Sequence, residues 1–371
     1  MRRHSGFSLM EMVVTLAVLG MVTFFLTDLL VRQSRTYTVV DDVSEAQQSL
    51  RAVSGLIERD LRSTGFLVPA AAAVCGWDMP SVAASDTTPD VLYVTDADAI
   101  DPTGVTSLTA QAAQVTAGFT GIGVDDLVLS SLVVDANPFY DLDGDGVAES
   151  DFQYSTAPQR NGAVIVVDRN NPQRGASCGV ITDIDPATNT VEVDFEVRTA
   201  PNSPAGAGAA PGGTPLGGVP VDLVAVPAHV YWVNPGPPPQ LIRDGMILAN
   251  DVEDLQVAYF FDANGNGIVD GLDPAFAAPP EVSATEYPGS AANNFGADYQ
   301  SGAWDNSKLR EIRVTVVART RSEDPDAVAN PAMANSVTQA FENRRVGAVA
   351  DGFRRRAITL TVKPRNVNRV L

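Results

Sequence analysis

Two acidic loops in the 371-residue chain carry the spacing that a hard divalent cation needs. In the first, Asp141, Asp143 and Asp145 alternate, Gly146 follows, Val147 offers a carbonyl, and Glu149 and Asp151 come after. Carboxylates at alternate positions with glycine at the sixth let the backbone wrap one Ca2+ in several oxygens. The twelfth position is Phe152, so closure falls to Glu149, Asp151 or a distant residue. The second loop sets Asp262, Asn264, Asn266, Asp270 and Asp273 at the first, third, fifth, ninth and twelfth positions. Gly267 is its sixth residue, and Ile268 supplies its carbonyl. The competing reading for both is an Asx-rich hairpin turn whose side chains cap their own backbone.

Cys75 and Cys178 are the only cysteines. Two thiols without a CxxC spacing cannot complete a zinc site. In an extracytoplasmic head they read as one disulfide closing a long loop, and otherwise as two unrelated buried thiols. His4 and His229 are the only histidines; His229 lies in the apolar run VDLVAVPAHVYWV, where a core or interface role outweighs that of a general base. No nucleophile elbow, phosphate loop or dinucleotide fingerprint occurs, so the chain reads as no enzyme. Trp77, Trp232 and Trp304 fit a sugar-binding surface and core packing equally.

The elements that position these residues begin with a helix. Phe7 to Leu30 is nearly free of charge, and at about 1.5 Å per residue it reaches roughly 36 Å, enough to cross a hydrocarbon core. Arg2 and Arg3 before it belong on the cytoplasmic side, leaving everything after Arg32 outside. No small-residue cleavage site follows the run, which argues against a secretory signal peptide. Met12 to Leu26 holds no charge, and Glu11 just before it is the informative oddity. A carboxylate there costs a few kcal/mol in lipid unless a partner answers it. Cleavage after Gly6 would give Phe7 a free amine, and the Glu11 of a neighbouring subunit can neutralise it, setting the register between helices.

The leader, Gly6, Phe7 and Glu11 together resemble the class III signal of type IV prepilins and pseudopilins. The resemblance implies cleavage between Gly6 and Phe7 by prepilin peptidase, methylation of the Phe7 amine, and packing with other pilins. Residues 7–65 contain no proline, unlike the helix of most major pilins, which favours a minor pilin or pseudopilin. Ser34 to Phe66, Asn250 to Asp262 and Arg310 to Thr320 are similar to PilW-type minor pilins and GspJ-type pseudopilins. The second acidic loop resembles those of dockerins and other extracellular calcium modules.

Beyond Arg35 the pattern turns amphipathic. Val39, Val43, Ala46, Leu50, Val53, Ile57 and Leu61 form a helical stripe, with Gly65 as its stop signal. About three turns of it should face a sheet. After Phe66 short β-type runs dominate: 91–95, 127–134, 163–168, 190–197, 221–233, 255–261, 312–318 and 357–362. Residues 199–220, rich in Gly, Pro and Ala, read as a flexible surface loop.

The expected organisation is α+β. A leader (1–6), a membrane or filament-core helix (7–32) and an amphipathic continuation (33–66) precede a β-rich antiparallel head (67–371). With 25 basic against 45 acidic residues the net charge of −20 argues against nucleic-acid binding. The expected role is a minor pilin in the inner membrane and then a surface filament. The alternatives are a type II secretion pseudopilin, a membrane-anchored calcium-dependent adhesin and a secreted hydrolase.

Overall fold

The computed structural model describes residues 8–66, 68–77, 89–96, 111–115, 124–129, 152–156, 159–168, 176–194, 223–262, 308–324 and 351–367. One α-helix, α1 (Leu9–Ser63), runs 55 residues without proline. Its first turn is closed by a capping box, in which Ser8 Oγ accepts the Glu11 amide and the Glu11 carboxylate accepts the Ser8 amide. Ion pairs one turn apart, Asp28–Arg32 at 2.9 Å and Glu58–Arg62 at 2.5 Å, support its exposed faces. The helix ends where Gly65 turns left-handed at φ +75°. A Cβ there would meet Val367 Cγ2 at 3.1 Å, so glycine is required by both conformation and space. Asn366 Nδ2 donates to the Ser63 and Thr64 carbonyls, satisfying acceptors that a helix end leaves open.

The strands form two layers. β13 (Val252–Phe261), β14 (Leu309–Arg319) and β15 (Arg355–Val362) make an antiparallel sheet in that order. The helix lies against β15 and β14 and touches β2 (Val91–Thr95) and β12 (Met246–Asn250). Ala46, Leu50, Val53, Ile57 and Leu61 are buried there, with Val39 and Val43 half-buried. That buried stripe spans about four turns rather than three. The difference follows from β14, whose 11 residues extend the sheet farther along the helix than its short apolar core suggests.

The larger sheet runs β1 (Val74–Trp77), β2, β10 (Leu223–Asn234), β3 (Gln111–Val115), β4 (Val124–Leu129), β9 (Thr190–Asp194), β8 (Ala176–Asp185) and β7 (Ala163–Asp168). β7 also pairs with β10, from Leu223↔Asp168 to Ala228↔Ala163. The six strands from β10 through β7 therefore close into an antiparallel barrel. Its interior holds Leu127, Leu129, Phe152, Val164, Val166, Ile181, Val191, Val193, Leu223 and Ala225. The barrel strands β3 to β9 all fall between β2 and β10 in sequence, although β2 and β10 pair directly at Ala228–Tyr231. A hairpin, β11 (Gln240–Arg243) with β12, continues from β10, and a small ribbon pairs β5 (Tyr154–Thr156) with β6 (Gln159–Asn161).

Strand β10 belongs to both cores. Leu223 and Ala225 point into the barrel, while Val224, Val226, Ala228 and Val230 join the core under the helix. β7 divides likewise, Val164 and Val166 inward and Ala163, Ile165 and Val167 toward the helix. Burial on both faces explains why these runs are continuously apolar rather than alternating. Pro227 sits in β10 between the residues paired with β3 (to Ala225) and those paired with β2 (from Ala228), where that flank lacks a ladder partner. Cys75 of β1 and Cys178 of β8 form a disulfide across 103 residues and tie the barrel to the helix layer.

The expected strands at 91–95 and 163–168 coincide with β2 and β7. Those at 255–261, 312–318 and 357–362 lengthen by up to three residues at an end, because the sheet pairs residues of weak intrinsic preference. The run expected at 221–233 is β10, the one expected at 190–197 begins with β9, and the run expected at 127–134 begins earlier, at Val124. β1, β3, β5, β6, β8, β11 and β12 were not expected. β3 (QAAQV) has almost no strand signal and is held by its neighbours. The anticipated loop at 199–220 lies outside the described residues.

Ile57 is fully buried under the helix. Ile57→Ala in the full chain in detergent should lower unfolding stability by about 2–5 kcal/mol, read by chemical denaturation. A change within experimental error would show that the stripe does not seat the helix.

Candidate functional site

Leu9 to Val31 is exposed along its whole length, and the helix is long and apolar enough to cross a membrane. An apolar face of this size is not stable in water. Within it, Glu11 is already half satisfied. Oε2 accepts the Ser8 amide at 3.0 Å, next to the positive end of the helix dipole. Oε1 has no partner among the described residues and remains for a second donor. The Ser8-x-x-Glu11 spacing was readable as a capping signal. Gly6 and Phe7, the expected cleavage and methylation site, lie outside the described residues.

The junction between helix and head is the best-defined polar constellation. Asp60 lies among the apolar stripe and is almost fully buried. Its Oδ2 accepts the Tyr231 hydroxyl at 2.5 Å and Arg243 Nη2 at 2.8 Å, while Oδ1 accepts Arg59 Nε at 3.2 Å. The Arg243 guanidinium lies over the Tyr231 ring, 5.7 Å from its centroid. Burial of the phenol, with Asp60 beside it, raises the Tyr231 pKa well above its ordinary value, so it stays a donor. Helix and sheet are thus joined by a carboxylate–guanidinium pair with a hydrogen bond in support.

Behind this pair stands His229. The β11–β12 turn is Asp244–Gly245, both at positive φ (50° and 78°), the backbone of a two-residue hairpin loop. A Cβ at Gly245 would meet Asn161 N at 3.1 Å. This turn aims the Asp244 carboxylate back at β10. Oδ2 meets His229 Nδ1 at 2.7 Å, and Oδ1 accepts the Val230 amide at 2.9 Å. On the other ring nitrogen, Nε2 lies 3.1 Å from Asp96 Oδ1, and Gln153 Nε2 also donates to Asp96. Only the imidazolium can donate from both nitrogens. Burial alone pushes the ring down, but the Asp244 and Asp96 charges overcome this and raise its pKa to about 10. His229 is a charged clamp between the end of β2 and the β11 hairpin.

Sequence reasoning placed His229 in the core or an interface, where it lies. It missed the partners. The Asp244–Gly245 dipeptide between QLIR and MILAN is a readable hairpin signal, whereas Asp60 and Asp96 become partners only through folding.

Of the expected calcium ligands, Asp141, Asp143, Asp145, Val147, Glu149 and Asp151 lie outside the described residues, as do Asn264, Asn266, Ile268, Asp270 and Asp273. Asp262 is described. It is buried at the end of β13, and its Oδ2 accepts Arg310 Nε and Nη2, both at 2.9 Å. That oxygen is committed to a guanidinium rather than to an ion. Among the described residues no cluster of three or more His, Cys, Asp or Glu is placed to hold a metal.

The clamp has a pH signature. The unfolded imidazole titrates near 6.5 and the folded one at about 10, so folding favours the protonated form. Its contribution is full below about 6.5 and is lost as pH rises through about 10. Between these limits the full chain in detergent should lose stability on the order of a few kcal/mol, and His229→Gln should flatten that slope. Denaturation midpoints at pH 6, 8 and 10 decide the point; equal slopes in both proteins would remove the imidazolium from the account.

The chain matches the family model described as the prokaryotic N-terminal methylation motif, over residues 1–27. No curated protein and no solved structure matches it. The motif, and the exposed apolar helix that begins inside it, support a type IV pilin-like protein with a pilin or pseudopilin role.

Proposed function

We propose that this chain is a minor pilin of the PilW type, a non-catalytic subunit that helps to initiate or cap a type IV pilus. The observation that carries the reading is Glu11, a carboxylate with one uncommitted oxygen at the start of an exposed apolar helix. Prepilin peptidase cleaves after Gly6 and the Phe7 amine is methylated. The chain waits in the inner membrane with its head outside. On assembly, a neighbouring subunit's amine takes the free side of Glu11, and the apolar helices pack together. In the low dielectric of a helix bundle such a pair fixes register, because a mismatched neighbour leaves a charge unanswered. The lock at Asp60 supports this role, since a helix held rigidly to its head carries the head to a defined place in the filament. The same helix would serve a GspJ-like pseudopilin, and the gene neighbourhood separates the two.

Mass spectrometry of the protein recovered from its native cells should find N-methylated phenylalanine, residue 7, at the N-terminus. Glu11→Ala should process normally yet fall out of the filament fraction by tenfold or more, the loss of roughly 1.4 kcal/mol or greater. An N-terminus that still carries Arg2 and Arg3, or unchanged incorporation of the variant, sinks the proposal.

Calcium is a separate part of the reading, supported by the spacing of 141–151 and 262–273 alone. Bound ions would tie these loops down, so chelation should lower the melting temperature of the full chain in detergent by several degrees. No shift would remove both sites.

A further inference from the structure

Where the helix leaves its apolar segment, it and the underside of the head enclose a groove of about 660 Å³. Val31, Arg32, Arg35 and Val39 line it from the helix, and Asp324 and Arg354 from the head. Most of its charge is spoken for. Arg32 Nε holds Asp28 at 2.9 Å, and Arg354 holds Asp324 through Nε at 2.9 Å and Nη2 at 2.5 Å. Arg35 has no hydrogen-bond or ion-pair partner among the described residues. The groove therefore keeps one guanidinium in excess, on a chain whose net charge is −20.

Its level matters as much as its charge. A helix spanning from Phe7 leaves the hydrocarbon core about twenty residues later, and the headgroup layer adds roughly 5–8 Å on each side. Counted from Phe7, Arg32 at about 37 Å lies at the outer edge of this layer and Arg35 at about 42 Å just beyond it, from where its long side chain reaches back toward the phosphates. Lipid phosphates stand at that depth at high local concentration, whereas a second copy must be recruited. Arginine presents a donor fork that fits phosphate oxygens, and Val31 and Val39 offer apolar surface for the glycerol and first acyl carbons.

We propose that this groove seats the phosphate of an anionic phospholipid from the leaflet around the anchor, with Arg35 as its uncommitted donor. The lipid fills the gap between head and membrane while the subunit waits, and it must be surrendered when the subunit leaves the bilayer. The inference rests on the membrane-anchored reading, and the experiment separates the two.

The full chain in neutral detergent is offered phosphatidylglycerol or phosphatidylcholine with the same acyl chains, and native mass spectrometry counts retained lipid. One phosphatidylglycerol should be kept in preference. Arg35→Gln should lower its retention about fivefold, and Arg35→Lys should restore most of it. Arg35 makes no hydrogen bond or ion pair with a described residue, so the Gln variant should keep its melting temperature and still float with phosphatidylcholine vesicles. Equal retention of the two lipids, or of phosphatidylglycerol by wild type and Arg35→Gln, overturns the proposal. Displacement of the lipid by excess inorganic phosphate overturns it too, by reducing the groove to a free-anion site. So does a concentration-dependent dimer that Arg35→Gln abolishes without altering lipid retention, which assigns the groove to a second copy. Failure of the wild type to float tells against the anchor instead.

Discussion

The carboxylate of Asp60 is the contact through which this protein becomes one mechanical object. Without it the helix would adhere to the head mainly by an apolar stripe, which resists removal but tolerates sliding by a turn, and by polar contacts at its edge and C-terminal end such as Ser322 to Asp42 and Asn366 to the Ser63 carbonyl. A buried acid changes that, because leaving Tyr231 and Arg243 strands a guanidinium in a low-dielectric interior. Asp60 therefore specifies one position of the helix more than it adds stability. The His229 clamp stands directly behind, holding the Asp244 hairpin on which Arg243 is carried, so that helix position, hairpin and the end of β2 are set together.

The head has a second constraint, the double burial of β10 and β7. Each strand contributes alternate residues to the barrel and to the core under the helix, so neither core can be repacked alone. This is how a barrel inserted between two strands that pair with each other remains part of one head. The disulfide from β1 to β8 reinforces the same seam. Cross-linking residues so distant in sequence removes much of the unfolded chain's freedom, on the order of 4–5 kcal/mol in the loop-entropy account.

The first half of the helix stands in contrast to all this. Among the described residues its apolar side chains from Leu9 to Leu30 stay exposed, and of its two acids Glu11 is half satisfied by its own first turn while Asp28 pairs with Arg32. The structure is complete as a head and incomplete as a helix. A membrane, and on the proposed reading a bundle of like helices, would complete it, and the groove at Arg35 lies where the finished part meets the unfinished one.

The helix was legible in the sequence because its information is local. A 3.6-residue apolar period, the absence of proline and a glycine stop place α1 almost to the residue, and a charge in an apolar run identifies Glu11 without any fold. Strands such as β2 and β7 were legible for the same reason, as runs of β-branched residues bounded by turn formers. The barrel was not. A strand such as β3, with alanines and glutamines, forms because β10 and β4 offer ladders on either side, and closure of β7 onto β10 joins residues nearly sixty apart. Nor could the sequence show that Asp60, Arg243, Asp244, His229 and Asp96 meet, since Asp60 and Asp96 gain their meaning only from partners brought near by pairing. Local periodicity and composition determined the anchor and the α+β layout. Which buried charges answer one another was decided by tertiary structure, because the energy of a charge depends on what surrounds it in space.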